Sequence, residues 1–170
     1  VNNTKSQLAF SVVPSKSCLV YTMSDIDDIN SFVSTFDLSS PKGKLKPIAD
    51  QPGGQDIEGL AVHPSNSDLL FGVAGDKADV GGQKLPGYFY LINRKAGEVV
   101  VAGPTGFDLI MTLAVNPVDK TLWGWGKQTL KPDSRWNGLI IIDQETHQAT
   151  PIKQFDYHKY DMAGLTWSKD

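Results

Sequence analysis

Short apolar runs alternate with polar turn segments along the whole chain, and none of the runs keeps a helical period. Apolar positions at i, i+3, i+4 and i+7 do not persist beyond one turn, and 16 Gly with 10 Pro would interrupt any long helix. The runs 57–62, 69–74, 88–92 and 99–102 have strand length and are separated by turn formers. The segment His63-Pro64-Ser65-Asn66-Ser67-Asp68 supplies one turn through proline and short polar side chains. Asn93-Arg94-Lys95-Ala96-Gly97 supplies another, ending in the residue that best tolerates a left-handed backbone. Together these runs predict a meander of four antiparallel strands.

The plan recurs. Runs at 110–115, 121–126, 139–143 and 149–152 repeat it, and runs at 8–13, 19–23, 32–38 and 44–48 form an earlier copy. Gly59-Leu60-Ala61-Val62-His63-Pro64 returns as Thr112-Leu113-Ala114-Val115-Asn116-Pro117, is preceded by Ala9-Phe10-Ser11-Val12-Val13-Pro14, and begins again at Gly164-Leu165-Thr166-Trp167. Pro14, Pro64 and Pro117 stand 50 and 53 positions apart, a period of stacked-repeat architectures. The repeat resembles a β-propeller blade. The fold expected is all-β: about three four-stranded antiparallel blades at 7–52, 53–105 and 106–156 in one propeller unit, then the inner strand of a fourth at 160–170. Gly59, Ala61, Ala114 and Gly164 suit a crowded inner strand, while Phe71, Tyr88, Phe89, Tyr90, Trp123 and Trp125 suit the wedge between sheets.

Three blades do not close a ring, and a fourth inner strand without successors leaves an unpaired edge. Three arrangements stay open: missing blades of a longer chain, two half-rings joined as a six-bladed dimer, or a terminal strand entering the next copy to build a filament. The assembly residues in this reading are Gly164, Leu165 and Trp167.

Composition narrows the partners. With 40% hydrophobic and 21% charged residues the chain is a globular domain, and a net charge of −3 argues against a general nucleic-acid binder. No apolar run approaches the roughly 20 residues of a membrane-spanning helix. Cys18 is the single cysteine, so no internal disulfide forms, and it reads as a small buried hydrophobe. A chain opening at Val1 suits a mature exported protein or a fragment, and an extracellular or periplasmic location is expected.

The chemistry concentrates in Asp56-Ile57-Glu58-Gly59-Leu60-Ala61, which resembles the D-x-E-G-L-A opening strand of phytase-like esterase propellers and, more loosely, the E-G-P start of gluconolactonase-like propellers. The resemblance covers six residues of one repeat. It implies an axial divalent cation held by Glu58 with Asp56 beside it, calcium being the ion that oxygen ligands of this kind take. Asp161 occupies the position of Asp56, with Ala163 in place of Glu58, and Asp108 lies one residue off in the third repeat. The competing reading needs no cofactor: Asp56, Asp108 and Asp161 cap the turns that lead into the inner strands. His63, His147 and His158 lack zinc spacing and read as turn residues, and no G-x-S-x-G elbow occurs. Two inserts, 75–87 and 127–137, project from one rim, the second carrying Arg135 and Trp136, residue types enriched at binding surfaces. The function expected is a non-catalytic module for recognition or self-assembly, and the alternative is a metal-dependent hydrolase of the phytase-like or lactonase-like propeller type.

Overall fold

The computed structural model describes residues 19–25, 29–40, 44–48, 53–130, 135–156, 159–160, 162 and 164–168, and among these every regular element is a strand. Sheet I contains β1 (Leu19–Asp25), β2 (Ser31–Asp37) and β3 (Lys46–Pro47). Sheet II contains β4 (Ile57–Val62), β5 (Leu69–Ala74), β8 (Tyr88–Asn93) and β9 (Glu98–Pro104). A two-stranded hairpin, β6 (Asp79–Val80) and β7 (Gln83–Lys84), fills the 75–87 insert. Sheet III contains β10 (Leu109–Val115), β11 (Leu122–Gln128), β12 (Trp136–Ile142) and β13 (Ala149–Gln154). Each large sheet is an antiparallel meander in chain order. Among the described residues no helix is long and apolar enough to cross a membrane.

Of the inner strand expected at 160–170, residues 160, 162 and 164–168 are described, and these enter no ladder among the described residues. The run 8–13, Cys18, His158 and Asp161 lie outside the described residues, as do 131–134 of the second insert.

The sheets stack face to face. Between I and II, Val33 meets Ile57, Leu70, Tyr90 and Ile92, with Tyr21 and Met23 against them. Between II and III, Phe71, Val73 and Phe89 meet Ile110, Leu113, Leu122, Ile140 and Ile142. The middle sheet is thus apolar on both faces, and its strand β5 reads as a near-continuous hydrophobic run, Leu69-Leu70-Phe71-Gly72-Val73-Ala74, instead of alternating. The inner strands of II and III approach closely enough that a Cβ on Gly59 would stand 2.9 Å from the Thr112 carbonyl carbon, which explains the glycine.

Local side chains set the turns. Asp37 and Asn93 end β2 and β8 and Asp143 follows β12, and each side-chain oxygen accepts amides two or three residues on: Ser39 at 2.9 Å, Lys95 and Ala96 at 3.1 Å, Glu145 at 2.9 Å and Thr146 at 2.7 Å. The residue that closes the latter two hairpins has positive φ, +68° at Gly97 and +65° at His147. Between first and second strands His63 and Asn116 do the same work. His63 Nδ1 accepts from Ser65 and Asn66 at 3.2 and 3.1 Å, and Asn116 Oδ1 from Val118 at 2.9 Å.

Candidate functional site

The two described aspartates of the sequence motif sit at equivalent corners. Asp56, 3% exposed, precedes β4 with φ of +49°, a conformation aspartate tolerates better than most residues. Its Oδ2 accepts the Lys77 amide at 2.9 Å and its carbonyl accepts the Gly75 amide at 2.7 Å. Asp108 precedes β10, and its Oδ2 accepts the amides of Thr129 and Leu130, both at 2.8 Å. Lys77 and Thr129 are the same place in the repeat, since Ile57 pairs with Ala74 and Ile110 with Gly126, each three residues earlier. The one-residue displacement of Asp108 is therefore absorbed before the strand, and the carboxylate reaches the same amide.

Glu58 lies in the bulge between Ile57 and Gly59, beside Gly75, whose Cβ position is 3.0 Å from Glu58 Cγ. Tyr90 adjoins this corner: its hydroxyl donates to the Gln55 carbonyl at 3.3 Å, and burial, reinforced by the Asp56 carboxylate, lifts the phenol above its ordinary range. Among the described residues no group of three or more His, Cys, Asp or Glu side chains is arranged to hold a metal. What the corner does chemically is fasten the loop after the second strand to the start of the first.

Arg135 and Trp136 line a cleft of about 390 Å³ together with Phe107, Gln128, Pro151 and Gln154. Gln128 Nε2 donates to the Gly106 carbonyl at 2.9 Å and Gln154 Nε2 to the Arg135 carbonyl at 3.2 Å. The buried Trp136 Nε1 has no hydrogen-bond partner among the described residues. A cleft lined by Phe107, Trp136 and Pro151 with Arg135, Gln128 and Gln154 at its polar side combines apolar contact with polar groups, as ligand sites do.

The third assembly lies at the end of the described chain. Trp167 meets Trp123 edge-on at 5.3 Å, Phe155 stacks on Trp125 at 5.0 Å, and Tyr160 meets Phe155 edge-on at 5.9 Å. Leu165 is half-buried and Gly164 exposed. The fully buried Asn137 holds this segment: its Oδ1 accepts Trp125 Nε1 at 2.6 Å, and its Nδ2 donates to the carbonyls of Tyr160 at 2.6 Å and Asp156 at 3.4 Å.

The same tie occurs at each earlier joint. Ser31 Oγ accepts the Ile57 amide at 2.6 Å, and Thr105 Oγ1 donates to the Gly87 carbonyl at 2.6 Å. In each case the tie joins the start of a strand, β2 at Ser31, β8 at the adjoining Gly87 and β12 at Asn137, to the segment that leads onward. Sequence reasoning passed over Ser31, Thr105 and Asn137, although Asn137 stands out as an amide in the run Trp136-Asn137-Gly138-Leu139-Ile140. Comparison with protein-family models gives no match for this chain, and a search of curated proteins gives none.

Proposed function

We propose that the chain is a β-propeller module that acts through recognition and self-assembly rather than catalysis, with the three stacked sheets as its blades. The observation that carries this reading is one joint built twice. Tyr21, Phe71 and Trp123 occupy one register position of β1, β5 and β11, and Met23, Val73 and Trp125 the next on the same face, opposite Val33, Phe89 and Leu139. Such face-to-face repetition is how propeller blades share a core. The carboxylates of Asp56 and Asp108 support the non-catalytic side of the reading, because each spends an oxygen on backbone amides. The cleft beside Arg135 and Trp136 is the recognition surface.

The test separates this reading from the metal-dependent hydrolase. Thermal melts with calcium and with a chelator should coincide, before and after Glu58→Gln, and the chain should not hydrolyse a simple phosphomonoester. Calcium-dependent stabilisation and hydrolysis that both vanish in Glu58→Gln would overturn the proposal.

A further inference from the structure

The described chain carries, at its two ends, the two unmatched halves of the joint it makes twice inside. In sheet II the outgoing face, Phe71, Val73 and Phe89, is 1%, 0% and 0% exposed because sheet III covers it. The equivalent positions of sheet III are Trp123, Trp125 and Leu139, and of these Trp123 and Leu139 are only half-buried, beneath Trp167 and its neighbours. On the incoming face, Leu70 and Leu122 are 1% and 0% exposed against the preceding sheet, whereas the equivalent Val20 is 41% exposed. Phe36, equivalent to the fully buried Ile92 and Ile142, is half-buried.

The backbone shows the same complementarity. Leu60 pairs with Gly72 and Leu113 with Gly124, so the repeat places Leu165 opposite Thr22 on β1. Among the described residues β1 pairs only with β2, and 164–168 pairs with nothing.

We propose that the outgoing face of sheet III and the segment 164–168 receive sheet I of a second copy, the segment completing that sheet as its inner strand, and that two such junctions close a ring of two chains. The inference rests on the propeller reading and names the partner of its assembly surface. Doubling three stacked sheets gives six, within the roughly four to eight that closed propellers use, and a two-fold operation makes both junctions identical. The run 8–13, read from the sequence as the inner strand of sheet I, is the competing occupant of the β1 edge.

Disulfide trapping tests the pairing, since facing positions on antiparallel strands bring Cβ atoms near bonding distance. In a Cys18→Ser background, chains bearing Thr22→Cys are mixed with chains bearing Leu165→Cys, oxidised, and resolved without reductant. A covalent heterodimer is expected, and none when Lys95→Cys replaces Thr22→Cys. Light scattering on the unsubstituted chain, which depends on no variant folding, should give the mass of two chains, and Trp167→Ala should raise the dissociation constant at least about tenfold. A single-chain mass at every concentration without cross-linking overturns the inference, as does a ladder of higher species, which would mean an open filament. If that single chain still melts cooperatively as a β protein, the propeller reading survives. The propeller reading falls separately if small-angle scattering fits a closed barrel instead of three stacked sheets.

Discussion

Asp56 and Asp108 show how much rests on single carboxylates in this chain. Asp56→Ala removes the acceptor that holds the Lys77 amide at a buried corner, so unfolding free energy should fall by about 1–3 kcal/mol in a denaturant titration. Asp108→Ala, at a half-buried corner, should fall toward the lower end of that range. Trp125 in the middle of β11 and Trp136 at the start of β12 should behave differently. Trp125→Phe strips the Asn137 amide of its donor and should cost about 1–2 kcal/mol beyond the lost packing, whereas Trp136→Phe removes no hydrogen bond made among the described residues. A second set of aspartates links stability to pH. Hydrogen bonds from Ser39 hold Asp37 low, Lys95 does so for Asp68, Lys84 for Asp79, Thr121 for Asp119 and the Thr146 amide for Asp143. A carboxyl group whose folded pKa is depressed stabilises the fold above its unfolded value and loses that contribution as pH falls toward the folded one. Denaturation midpoints should therefore be level from neutral pH down to about 5 and decline below about 4, the ordinary carboxylate range. The caps were legible as Asp and Asn beside turn formers; that their targets lie about 21 residues away, as for Asp56 and Lys77, was not, because proximity across a hairpin depends on register.

At the scale of elements, strands bounded by strong punctuation were legible to the residue. The runs 57–62 and 69–74 coincide with β4 and β5, since Pro64 and the Gly-rich stretch after Ala74 fix their ends. The outer strands β9 and β13 run farther than their apolar runs, to Glu98 and Gln154, because an exposed edge strand needs partners for its backbone and not apolar side chains. The β6–β7 hairpin had a signal in Gly81-Gly82, whose φ values of +62° and +86° supply both left-handed positions of a two-residue turn, yet its short flanks gave no period to read. Glycine also marks where elements meet. Gly59→Val would push a branched side chain against the Thr112 backbone, and the stack should lose at least about 2 kcal/mol, seen as a lower melting temperature without loss of β-sheet circular dichroism below it.

At the scale of the whole molecule, the repeat period disclosed three successive antiparallel sheets, while the way they are tied together came only from coordinates. Ser31, Thr105 and Asn137 share no residue type, so no motif connects them, although each serves the same joint. Removing residues 156–170 should uncover Trp123 and part of the Trp125 environment; binding of a hydrophobic dye should rise and the chain should self-associate nonspecifically on sizing columns. The metal alternative was legible as the carboxylates Asp56, Glu58, Asp108 and Asp161, but whether they converge was not, because an oxygen cage depends on which corners meet; the carboxylates of Asp56 and Asp108 both turn to their own loops.

Each tie joins neighbours along the chain and none reaches past the adjoining sheet, as the grip of Asn137 on Tyr160 illustrates. Such nearest-neighbour coupling makes the array modular: insertion or loss of one whole repeat disturbs a single seam, and every surviving seam keeps its fit.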